Sequence, residues 1–209
     1  MSQEKMLKEM DRKLFTSYFE DGLVEIFLAF WAQMFVLGPY LSKYLGDFWS
    51  SFIFLPFWAV VYLILRYVRK KVVEPRIGSV KWGTMRKKKL RTWSWIMLVL
   101  NLIFLLVGVL SFVLPGTSGF AMALRFSTMM LILFSAAGYM LDFKYLYVYG
   151  ILLALAIPAG EWLYQNAGFT HHGIPAVFGG LSLIILIRGI YKFITLVKNT
   201  PLQIEGETL

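Results

Sequence analysis

The sequence predicts an all-α polytopic membrane protein, and three observations carry that prediction. The 209 residues are 58% hydrophobic and only 16% charged, against about a quarter charged in an ordinary soluble domain. The mean hydropathy is +0.66. The apolar residues fall in continuous runs with no two-residue alternation, which favours helices over a β-barrel. There is no cysteine, so a disulfide-stapled secreted domain is excluded.

Six runs reach the roughly 20 residues needed to cross a hydrocarbon core: Gly22–Tyr44, Phe48–Val68, Trp93–Leu114, Phe120–Leu141, Leu146–Tyr164 and Ile174–Val197. Turn residues separate them at Gly46-Asp47, at Pro115–Gly119, at Asp142 and between Asn166 and Gly173. The chain carries no convincing internal repeat, so an inverted-repeat transporter gains no support. The division expected is an interfacial segment over 1–21, a hairpin over 22–68, a basic loop over 69–92, four further spans over 93–197 and a tail over 198–209.

The first 21 residues are too charged for a signal peptide. Met6, Met10, Leu14 and Tyr18, with Leu7, recur at spacings of three and four, which predicts an amphipathic helix lying on the inner membrane face. Basic residues set the orientation. In a six-span layout 19 of the 21 Lys and Arg fall on one side, only Lys43 and Arg125 lying toward the other. Both termini are therefore expected in the cytoplasm, with the protein in a cell (inner) membrane.

Eleven of those basic residues lie between Arg66 and Arg91, with Glu74 the single acid among them. Such a segment faces inward for topology alone. Its density also suits an anionic leaflet, where each Lys or Arg contributes about 1 kcal/mol. Arg69, Lys70, Lys71, Arg76, Lys81, Arg86, Lys87, Lys88, Lys89 and Arg91 are the candidate ligands for anionic lipid or an acidic partner. Trp82 alone offers too little stacking surface for nucleic acid, which is not an expected partner.

Within it stands Glu74-Pro75-Arg76-Ile77-Gly78-Ser79-Val80-Lys81-Trp82. Pro75 biases Glu74 toward extended backbone, and Gly78 permits a turn, so the stretch predicts an ordered elbow. Its Pro-Arg-x-Gly-x-Val-Lys pattern resembles uncharacterised prokaryotic integral membrane proteins in which a charged N-terminus and an Asp-Gly (here Asp21-Gly22) precede the first span. The resemblance covers about the first 90 residues and brings no function with it.

Charges inside spans are costly unless paired, hydrated or able to reach the surface, which makes Glu25, Arg125, Glu161 and Arg188 site candidates. Their depths predict two ion pairs: Arg125 with Glu161 on the outer side, and Glu25 with Arg188 on the inner side. Gly22, Ala29 and Ala32 share the Glu25 face as a small-residue stripe suited to close packing. Gln33 and Asn101 read as interhelical hydrogen-bonding residues. The two histidines, His171 and His172, precede the last span. With Glu161 they are weak candidates for a zinc site or an acid–base pair, since adjacent histidines diverge and no second carboxylate is near.

No phosphate-binding glycine loop, Gly-x-Ser-x-Gly elbow, thiol or paired haem ligand is present, and no cofactor is expected. The reading that follows is a non-catalytic membrane component of a larger assembly, docking lipid or a partner through the basic loop. A small transporter or channel with the four intramembrane charges along its pathway is the first alternative. A membrane enzyme with an outer Glu/His site is the second.

Overall fold

The computed structural model describes residues 19–77, 84–113 and 118–201, with backbone alone at 47, 84–90, 105, 108, 109 and 111–113. It is all-helical, and the described residues contain no strand. We number the helices α1 (Leu23–Gly46), α2 (Phe48–Ile77), α3 (Thr84–Val113), α4 (Gly119–Leu141), α5 (Tyr145–Ala167) and α6 (Ile174–Asn199). Helices spanning α1, α2, α4, α5 and α6 are long and apolar enough to cross a membrane. In α3 the apolar stretch Arg91–Phe104 is shorter.

The boundaries follow local chemistry. Gly46, at φ 75° and ψ 164°, breaks α1 from α2 where the sequence placed Gly46-Asp47. Ser118 caps α4, its Oγ accepting from the Ala121 N–H at 3.2 Å. Asp142 closes α4 in the left-handed region, and the Phe143 N–H returns to the Gly138 carbonyl at 3.1 Å.

Two expectations change in the basic stretch. The helix of the second span does not stop at Val68 but runs on to Ile77, through a π-helical turn at Arg69–Val73. Lys and Arg are good helix formers, so loss of hydropathy does not end a helix that nothing else breaks. The predicted loop over 69–92 is therefore helical over 69–77 and from 84 onward, and 78–83 lies outside the described residues. Glu74 is helical, at φ −57° and ψ −40°, and not extended. The π turn directly precedes Pro75, which has no N–H to donate and whose ring crowds the carbonyl four residues back. The amphipathic helix expected over 1–21 lies outside the described residues up to 18, as does the tail beyond 201.

The chain divides into two compact units, Met1–Lys81 with Ser182–Leu209, and Trp82–Leu181. In the first, α1 and α2 form a hairpin, with Phe30 and Phe57 edge to face at 6.3 Å. Against α1 lies the part of α6 from Ser182 on. Gly22 meets Gly189 and Gln33 meets Ser182, so the numbers fall along α6 as they rise along α1 and the two helices run antiparallel, with the long Lys192 side chain reaching Glu25. The Gly22, Ala29, Ala32 stripe is fully buried, as are Ser182 and Ile185 on the facing helix.

In the second unit α4 and α5 make a tight antiparallel pair. The buried face of α5 recurs at three and four residues through Leu146, Tyr149, Gly150, Leu153, Ala154, Gly160 and Glu161. Ser127 Oγ donates across the pair to the Ala154 carbonyl at 2.7 Å. Trp93 of α3 sets its ring against Tyr139 of α4 at 5.5 Å.

Candidate functional site

The buried carboxylates of the described residues are Asp21, Glu25 and Glu161, and each has a defined partner. Asp21 precedes α1 and does two jobs. Its Oδ1 accepts from the Leu23 N–H at 2.9 Å, satisfying one donor at the start of the helix. Its Oδ2 accepts from Arg69 Nε at 2.9 Å and from Arg69 Nη2 at 2.6 Å. Burial pushes the Asp21 carboxyl above its ordinary range, and Arg69 and the Leu23 N–H pull it back. Arg69 begins the π turn of α2, so the pair ties the start of α1 to the far end of α2.

One turn into α1, the fully buried Glu25 accepts from Lys192 Nζ. Arg188, the cation the sequence suggests for this carboxylate, lies one turn earlier on α6. Lys192 reaches the carboxylate because Gly22 and Gly189 let the two backbones meet. A Cβ at Gly22 would fall onto the Gly189 carbonyl, and Gly22 has φ 84°, which a side chain disfavours. Gln33 Nε2 donates to Ser182 Oγ at 2.8 Å, the interhelical bond expected of it. Asn101 instead bonds within its own helix, to the Met97 carbonyl at 2.7 Å.

The third carboxylate corrects the outer pairing. Glu161 Oε2 lies 2.8 Å from His172 Nδ1, and its Oε1 accepts from Gln165 Nε2 at 2.8 Å. Arg125 is exposed and makes no ion pair among the described residues. A long side chain near a helix end reaches water by itself and needs no buried partner. The His172 ring lies 4.5 Å from that of Tyr164. Gly119 admits the carboxylate to the start of α4, since a Cβ there would stand 2.6 Å from Oε1. No three metal-ligating side chains gather among the described residues, so Glu161, His171 and His172 do not assemble a metal centre.

The basic candidates divide by use. Arg69 is engaged with Asp21, and Arg76 Nη1 donates to the Val72 carbonyl at 2.7 Å. Lys70, Lys71 and Arg91 are exposed. Arg86, Lys87, Lys88 and Lys89 lie on the helical backbone of α3, and Lys81 falls outside the described residues. A groove of about 240 Å³ between α1 and α2 is lined by Met34, Gly38, Pro39, Ser42, Ser50, Ser51 and Phe54, none of them charged.

Lys192, Gln165 and Tyr164 were not singled out from sequence, and Asp21 stood out only as part of Asp21-Gly22. Lys192 carried a signal, lying four residues from Arg188 and three from Gly189. Nothing in the sequence joins Asp21 to Arg69 across 48 positions. Comparison with protein-family models, with curated proteins and with solved structures gives no match.

Proposed function

We propose that this chain is a non-catalytic, six-span component of a larger membrane assembly, held in a cell (inner) membrane with both termini in the cytoplasm. Its basic stretch between Arg66 and Arg91 docks anionic lipid or an acidic partner surface.

One observation carries the reading. The buried carboxylates are each closed by a partner inside the fold, whereas Lys70, Lys71 and Arg91 face outward. Charge committed internally holds helices together. Charge left on the outside of a basic stretch attracts an anionic surface. The antiparallel register of α1 and α6 supports the span count. A first and last span that run antiparallel require an even number of crossings, and α3 then joins the five apolar helices as the sixth.

The test is native mass spectrometry of the protein extracted gently from its own membrane, with Lys70, Lys71, Lys87, Lys88 and Lys89 intact or all changed to Gln. The expected result is a stoichiometric anionic lipid or protein that is lost at least tenfold in the variant. A complement of bound species unchanged by the substitutions overturns the docking role.

A further inference from the structure

The contact between Glu161 and His172 does more than fill a buried site. It fastens the turn between α5 and α6. That turn is the short 3₁₀ segment His171–Gly173, and all three residues lie in the left-handed region, at φ 53°, 54° and 60°. Two consecutive residues with side chains in that region are strained and persist only where surroundings hold them. The backbone is pinned at Gly160 and Gly173, where a Cβ on Gly160 would stand 2.9 Å from the His172 carbonyl. A side-chain tie adds to this, His172 Nδ1 lying 2.8 Å from Glu161 Oε2.

The two partners differ in exposure. The Glu161 side chain is 7% exposed and is fixed by Gln165, while that of His172 is 58% exposed and open to protons from solution. Imidazole changes charge near pH 6.5, in the physiological range. We propose that this pair is a proton-operated latch: protonated His172 holds the 171–173 turn on the Glu161 carboxylate, and deprotonation loosens it. With His172 charged, the contact is an ion pair to a buried carboxylate. With His172 neutral, the hydrogen bond through Nδ1–H to the carboxylate loses the attraction of the second charge and is weaker.

The other charged or titratable groups at this end of the unit are few. α4 contributes Arg125, α5 contributes Tyr164 and the turn contributes His171. Residues 168–170 and 174–181 contain no acid, base or tyrosine. The latch does not depend on the basic stretch, and its failure leaves the docking proposal untouched.

Hydrogen exchange of the purified full chain in lipid nanodiscs tests it, at pH 5.5 and pH 8 after correction for intrinsic exchange. The amides of 169–174 are expected to exchange roughly tenfold more slowly at the acid value. In His172→Gln the difference disappears, while His171→Gln retains it. Equal protection of the wild type at both values overturns the latch. So does a pH difference that survives in His172→Gln or vanishes in His171→Gln. His172 is exposed, so its substitution leaves the packed helices intact. Glu161→Gln, where it folds, is expected to match His172→Gln.

Discussion

At the scale of single residues, Asp21 and Arg69 show why a buried charge needs its partner more than the fold needs the pair. Removing one member of such a pair strands the other, at a cost of about 3–5 kcal/mol. Arg69→Gln is expected to destabilise the protein by that amount at pH 7.5. The sign of the pH dependence follows from Asp21, whose carboxyl burial already raises. Without Arg69 it rises further. A carboxyl raised in the folded state supports folding fully below its unfolded value, near pH 4, and that support is lost as the pH climbs through the folded value. The variant should therefore approach wild-type stability toward pH 4.5 and fall away above it. Thermal unfolding in detergent at both values checks this. A deficit that grows in acid would mean Asp21 is not the stranded group. Nothing in the sequence disclosed this pair, because the distance between two residues in a folded helix bundle leaves no mark in local spacing. The Gly22, Ala29, Ala32 stripe did, because helical period is local.

Among the elements, α1 and the later part of α6 depend on backbone proximity. Gly189 lies against Gly22, Glu25 and Ile26, with clearances of about 3 Å for an added Cβ. Gly189→Leu is expected to push the helices apart and to cost more than the 1–3 kcal/mol of ordinary overpacking, because Lys192 then fails to reach Glu25. Gly180, on the same helix, has nothing within 4 Å of its missing Cβ, so Gly180→Leu should be within about 0.5 kcal/mol of wild type. A pair of unfolding curves separates the two positions, and equal effects would refute the close crossing. Element positions were largely legible in the sequence, since hydropathy and turn residues mark where apolar helices begin and end. The exception is α2. Its helix outlasts its hydrophobic stretch, and composition does not record where hydrogen bonding stops.

For the whole molecule the natural absence of cysteine is a tool. A single cysteine at Gly46 or Gly168 should react with an impermeant maleimide added outside intact cells. One at Ser79 or Lys144 should react only after the membrane is opened. A site at Lys144 labelled from outside would mean two crossings between Gly46 and Lys144 in place of the three proposed, and would remove α3 from the membrane. Fold class was readable from composition because a bilayer demands apolar length. The site was less so, since its partners are chosen by tertiary packing. The bond between Glu25 and Lys192 joins residues 167 positions apart, so one is synthesised well before the other. At about 5–20 residues per second, the ribosome delivers the lysine on the order of ten to thirty seconds after the glutamate. During that interval the nascent first helix carries an acid whose counter-ion does not yet exist. A chain released before residue 192 never acquires it, and cellular quality control would meet the unfinished protein as a bilayer helix with a bare carboxylate.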